Sequence, residues 1–157
     1  GGGDGFWVLF GGLHKYDAFL LLLWPRVLAA LYCPITDCDE TFNYWEPAHF
    51  LLTGSGFQTW EYAPQYALRS YSYLLLHLPP AAAVQTLYPH LVYMLTLLGI
   101  AKASLPGSNT IAFYAVRGTL AAVSAYAEAS LYTALGDRLM EQGKGFRAVG
   151  VFLVMLM

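Results

Sequence analysis

The sequence predicts an all-α, polytopic membrane protein, and three observations carry that expectation. Of its 157 residues, 57% are hydrophobic and 11% are charged, against about 25% charged in an ordinary soluble domain. A soluble core of this size cannot hide so much apolar surface, so lipid is the expected solvent. Apolar runs of helical length alternate with clusters of Pro, Gly, Ser and Asn, which punctuate helices. The chain also carries 12 Tyr and 4 Trp, ring types that gather at membrane interfaces, where one end is wet. A net charge of −2 gives no footprint for nucleic acid.

The first expected span covers about 18–33, with Phe19 to Trp24 and Val27 to Leu31 as its core. Pro25 and Arg26 interrupt it. About eight apolar residues at roughly −0.3 to −0.6 kcal/mol each offset one central Arg at about 2.5 to 3.5 kcal/mol, so Arg26 must lie off-centre, snorkel or meet a partner. A polar, aromatic loop follows over Pro34 to Tyr66, holding Asp37, Asp39, Glu40, Glu46 and Glu61. Thr36 to Asp39 fits the start of a capping box, so a short helix is expected from near Asp37 to Leu52, bent at Pro47. From Ala67 to Leu105 the chain is apolar and amphipathic by turns. Pro79-Pro80 and Pro89 are expected to break it, and Pro106-Gly107-Ser108-Asn109 to close it.

The second expected span covers about 110–135 and carries Arg117, Ser124 and Glu128 on one face, with Arg117 and Glu128 about 16 Å apart along the axis. Charges avoid lipid, so this stripe should meet protein or a wet cavity, as an ion pair or as the lining of a pathway. Arg138, Lys144 and Arg147 follow it, and basic residues past a span mark the cytoplasmic side. With Lys15 before the first span, this makes the loop at about 34–109 lumenal, with 67–105 not crossing the membrane. A further span is expected to start at 146–157. Because that run is shorter than the roughly 20 residues a span needs, residues 1–157 are expected to be the N-terminal part of one larger membrane-embedded domain. Cys33 and Cys38 are read as unlinked thiols. His14, His49, His77 and His90 lack ligand spacing and are read as structural or interfacial.

Two stretches bear chemistry. In Thr36-Asp37-Cys38-Asp39-Glu40-Thr41-Phe42-Asn43-Tyr44-Trp45-Glu46-Pro47, Asp39, Asn43 and Glu46 recur at helical spacing. They form either a face of carboxylates and an amide turned to a cavity, or a solvated first turn that complements the helix dipole. In Gly56-Phe57-Gln58-Thr59-Trp60-Glu61-Tyr62-Ala63-Pro64, aromatic and hydrogen-bonding residues alternate. That mixture holds a sugar by stacking and hydroxyl bonding, or forms an interfacial belt. Arg69 offers a forked donor to phosphate, or pairs with a loop carboxylate.

Together with Tyr66-Ala67-Leu68-Arg69-Ser70-Tyr71, these motifs resemble the dolichyl-phosphate-mannose-dependent alpha-1,2-mannosyltransferases of asparagine-linked glycosylation, glycosyltransferase family 22 of the GT-C superfamily. The likeness is close from Asp37 to Leu78 and weaker from Ile111 to Arg138. It implies a multi-pass protein of the endoplasmic-reticulum membrane with a lumenal catalytic loop. The expected partners are a dolichyl-phosphate-mannose donor, a lipid-linked oligosaccharide acceptor and membrane lipid. It implies Asp39, Glu40 and Asp37 as catalytic residues, and Asn43, Trp45, Glu46, Gln58, Trp60, Glu61, Tyr62 and Arg69 as substrate-binding candidates. No cofactor and no metal are implied. Related glycolipid-anchor mannosyltransferases usually carry His-Pro before the Asp-Glu pair, where this chain has Asp37-Cys38. They remain the near alternative, and a transporter or channel subunit using Arg117 and Glu128 is the alternative of another class. Dolichyl phosphate leaves as a stable anion, so transfer needs one base and no general acid, unlike glycoside hydrolysis.

Overall fold

The computed structural model describes residues 13–100, 105–142, 150–151 and 154–155. All regular structure among them is helical: α1 (Lys15–Tyr32), α2 (Cys38–Glu40), α3 (Glu46–Thr53), α4 (Leu78–Leu97) and α5 (Ser108–Glu141). A π turn over Thr41–Trp45 joins α2 to α3, and 3₁₀ turns lie at Trp60–Tyr62 and Leu74–Leu76. The described residues fall into two compact units. One comprises the chain up to Tyr32 and from Gly118 onward, and the other comprises Cys33–Arg117.

In the first unit, Ala18 and Leu22 of α1 pack with Ala125, Ala129 and Tyr132 of α5. Both sets recur at i+3 or i+4, one face of a helix, and the alanines let two backbones approach closely. Arg26 lies one further turn along the same stripe as Leu22. It forms an ion pair with Glu128 and donates from Nη1 to the Leu22 carbonyl at 2.8 Å. Ser124 donates to Glu128 Oε1 at 3.1 Å. Arg26 thus meets the partner that its place among apolar residues demands, and Glu128 is held by α1. Lys15 donates to the Tyr126 hydroxyl at 2.9 Å and lies 4.0 Å from that ring's centroid.

α1 and α5 cover the two apolar runs at 18–33 and 110–135, yet no helix among the described residues is long and apolar enough to cross a membrane. The reason is dilution. α1 carries Lys15, Asp17 and Arg26 within its 18 residues, and α5 is rich in Ala, Ser, Thr and Tyr beside Arg117 and Glu128. The expected third span at 146–157 lies largely outside the described residues, as do Lys144 and Arg147.

In the second unit the prolines act differently from expectation. Pro79 and Pro80 start α4 instead of breaking it, because the first turn of a helix has no internal use for their missing N–H. Pro89 is carried inside the helix. In place of a helix bent at Pro47, a π turn lies just before the proline. Pro47 cannot donate to the Asn43 carbonyl four residues back, and the Tyr62 hydroxyl donates to that oxygen instead, at 2.7 Å.

Candidate active site

The acidic start is built by a cap one residue later than expected. The N-cap is Asp37, not Thr36: its Oδ1 accepts from the Asp39 amide at 2.9 Å, satisfying a donor that has no intrahelical partner. Asp39 and Glu40 then occupy the first turn. Glu40 Oε1 accepts from Trp45 Nε1 at 3.2 Å, a pairing five residues apart that the π turn permits. The same turn shifts the helical register, so Asp39, Asn43 and Glu46 do not form one common face. Asn43 is only 8% exposed, whereas Asp39 is exposed and Glu46 half-buried. Among the described residues, Asp39 is the one member of the trio Asp37, Asp39 and Glu40 whose carboxylate accepts no hydrogen bond. Ligand atoms of Asp37, Cys38 and Asp39 lie within 4.8 Å of one another, all exposed. Both cysteines are exposed free thiols.

Two glycines fold the second stretch back onto the first. Gly54 ends α3 in the left-handed region at φ 70°, its amide returning to the Phe50 carbonyl at 2.9 Å. Gly56, at φ 121°, passes so close to His49 and Glu46 that a Cβ would lie 3.2 and 3.3 Å from them. The reversal lets the Phe57 amide donate to Glu46 Oε2 at 3.2 Å and sets the Phe57 ring edge-on to Phe42, centroids 6.1 Å apart. Gln58 donates to the Tyr71 hydroxyl at 2.6 Å. Trp60 is 59% exposed, with its ring perpendicular to Tyr66. Tyr62 is buried, and burial pushes its phenol above the usual range, keeping it a donor to Asn43. Replacing Tyr62 with Phe is expected to lower stability by about 1 kcal/mol, read as a reduced denaturation midpoint of the full-length protein in detergent. An unchanged midpoint would mean that the hydroxyl does not tie the loop to the helix.

Arg69 resolves toward the carboxylate. Its Nε lies 2.5 Å from Glu61 Oε2, and that hydrogen bond raises the guanidinium above its ordinary value. Ala67, at φ 45°, turns the chain so that the Leu68 and Arg69 amides both donate to the Glu61 carbonyl, at 3.1 and 3.2 Å. Four of the eight residues expected to bind substrate, Asn43, Glu61, Tyr62 and Arg69, therefore hold one another in place in two pairs.

A concavity lies beside Trp45. A cavity of about 190 Å³ is lined by Trp45, Glu46, His49, His77, Gln85, Asn109, Phe113 and small apolar residues. Asp37, Asp39 and Glu40 do not line it. The Trp45 and Phe113 rings meet at 4.6 Å, and Arg117 lies 5.3 Å from the Phe113 centroid. His77, only 3% exposed, stacks parallel to Tyr44 and edge-on to Tyr73. Gln85 Nε2 donates to Asn109 Oδ1 at 3.2 Å. His49, His77, Gln85 and Asn109 are absent from the sequence-based candidates. His49 was signalled by its place one helical turn after Trp45, while the two amides stand out only as isolated polar groups in or beside apolar runs.

Among the described residues, an exposed acidic turn is tied through Trp45 to an aromatic, amide-bearing cavity in an all-helical protein. The chain belongs to the Alg9-like mannosyltransferase family, whose profile matches residues 17–157. It is similar to alpha-1,2-mannosyltransferase ALG9 of Homo sapiens, 68% identical over 65 residues that cover 41% of this chain and 11% of that protein. The Schizosaccharomyces pombe protein of that name is 39% identical over 117 residues, 74% of this chain and 17% of the relative. The Arabidopsis thaliana protein is 40% identical over 129 residues, 82% and 20%. The chain thus spans a fifth or less of these relatives' lengths. No solved structure matches.

Proposed function

We propose that the chain is part of a membrane-embedded enzyme of the endoplasmic reticulum that transfers mannose from dolichyl-phosphate-mannose to a lipid-linked oligosaccharide in alpha-1,2 linkage. The family match over residues 17–157 carries the reading. The relatives bearing the name alpha-1,2-mannosyltransferase favour it over the glycolipid-anchor alternative. Asp39 is the proposed base. It is exposed to an incoming hydroxyl, and its carboxylate is not committed elsewhere among the described residues, whereas Asp37 caps the helix and Glu40 holds Trp45. Asp37 fixes the Asp39 backbone, and Glu40 fixes the turn. Trp45, Glu46 and Trp60 are candidates for direct contact with the sugar chains.

The acceptor hydroxyl gives its proton to Asp39 while its oxygen bonds to C1 of mannose. The bond from C1 to the phosphate oxygen breaks, and dolichyl phosphate leaves with that electron pair as an anion. A single displacement on a β-linked donor gives an α-linked product. In this reading the stretches at about 18–33 and 110–135 lie in the bilayer, where the Arg26–Glu128 pair neutralises the two charges on their packed faces, and residues 34–109 lie on the lumenal side. Full-length protein supplied with labelled dolichyl-phosphate-mannose and a lipid-linked acceptor tests the proposal. Labelled product released by an alpha-1,2-mannosidase is expected. Transfer from a nucleotide sugar instead, or none, would contradict it.

A further inference from the structure

We infer that the cavity lined by Trp45 and Phe113 is a subsite for one mannopyranose ring of the substrates, separate from the residues that carry out the displacement. This inference rests on the transferase reading and extends it from Trp45 and Glu46 of the first motif to His77, Gln85, Asn109 and Phe113, which neither motif contains. The first support is size. About 190 Å³ is on the order of six water volumes, room enough for a single pyranose ring.

The second support is the lining. Trp45 and Phe113 offer aromatic surface to the C–H face of a sugar ring. The polar groups around them are set and only partly used. Gln85 Nε2 donates to Asn109 Oδ1, which leaves Gln85 Oε1 as an acceptor and Asn109 Nδ2 as a donor, side by side. Two neighbouring sugar hydroxyls, one donating and one accepting, match that pair. His77 Nδ1 lies 3.1 Å from the Tyr73 carbonyl, which can only accept. The proton therefore sits on Nδ1, and Nε2 of the neutral ring is an acceptor. The one hydrogen bond that Glu46 receives among the described residues goes to Oε2, leaving Oε1 for a hydroxyl. A lipid chain would fill the same space but would use none of these hydrogen-bonding groups. The ring that sits here is either the mannose of the donor or a mannose of the acceptor, and the two share this chemistry.

Gln85→Leu and Asn109→Leu in the full-length enzyme remove the hydrogen-bonding pair while keeping bulk, and Ala112→Leu places a side chain into the cavity. Each is assayed for transfer with donor and acceptor varied in turn, alongside its thermal midpoint. Each amide replacement is expected to raise the KM of one substrate by about 3- to 10-fold, the effect of one lost hydrogen bond, with kcat within about twofold. Ala112→Leu should raise the same KM by more. A rise confined to the acceptor assigns the ring to the oligosaccharide, and a rise confined to the donor assigns it to the donor mannose. Folded variants with both KM values unchanged would overturn the subsite while leaving the transferase reading intact. A wild-type enzyme without transfer would overturn both.

Discussion

Asn in place of Asp39 in the full-length protein is expected to lower kcat for mannosyl transfer by about 10²- to 10⁴-fold, the usual contribution of a positioned base, with both KM values nearly unchanged. The neighbouring carboxylates make this a sharp comparison. Asp37 acts through a cap that Asn makes about as well as Asp, so Asp37→Asn should leave transfer within a few-fold of wild type, whereas Asp37→Ala should cost about 1 kcal/mol of stability. Glu40 serves as acceptor for Trp45 Nε1, a role the Gln amide oxygen can fill, so Glu40→Gln should also be mild. Wild-type-like turnover by a folded Asp39→Asn protein would remove Asp39 from the role. A collapse in Glu40→Gln alone would move the base one residue along.

The second large effect concerns architecture. Glu128→Ala leaves the Arg26 guanidinium without its partner on a packed helix face. The pair is partly exposed, with 23% and 30% of the side chains accessible, so the expected loss is about 1–3 kcal/mol, below the 3–5 kcal/mol of a fully buried pair broken on one side. It should appear as a thermal midpoint several degrees lower. Replacing both residues with Leu should recover most of the loss, because the penalty lies in the stranded charge. Additive losses from the two single changes would show that the residues do not act as a pair.

The helices were legible in the sequence wherever apolar runs were long, as in α1 and α5, because burial periodicity is a local property. Arg26 was legible as a residue in need of a partner, but not the partner itself: Glu128 lies 102 residues away, and sequence reasoning grouped it with Arg117 on its own helix. The acidic turn was legible and its register was not. One π turn, forced on a segment where Pro47 withholds a donor and Tyr62 supplies one, moved Asn43 into the interior. Pro79 and Pro80 misled for a related reason, since a proline pair stops one helix and starts another with the same chemistry. The cavity was the least visible feature, because it forms where Trp45, His77, Gln85 and Phe113 converge from separate elements.

The lipid-phosphate mechanism requires the acidic turn to face the lumen, and Cys38, exposed between Asp37 and Asp39, reports that directly. Sealed endoplasmic-reticulum vesicles carrying the full-length protein, treated with an impermeant maleimide before and after permeabilisation, would show which side the thiol occupies. Modification of the Cys38 peptide only after permeabilisation is the expected result. Modification of that peptide in intact, cytoplasm-side-out vesicles would contradict it.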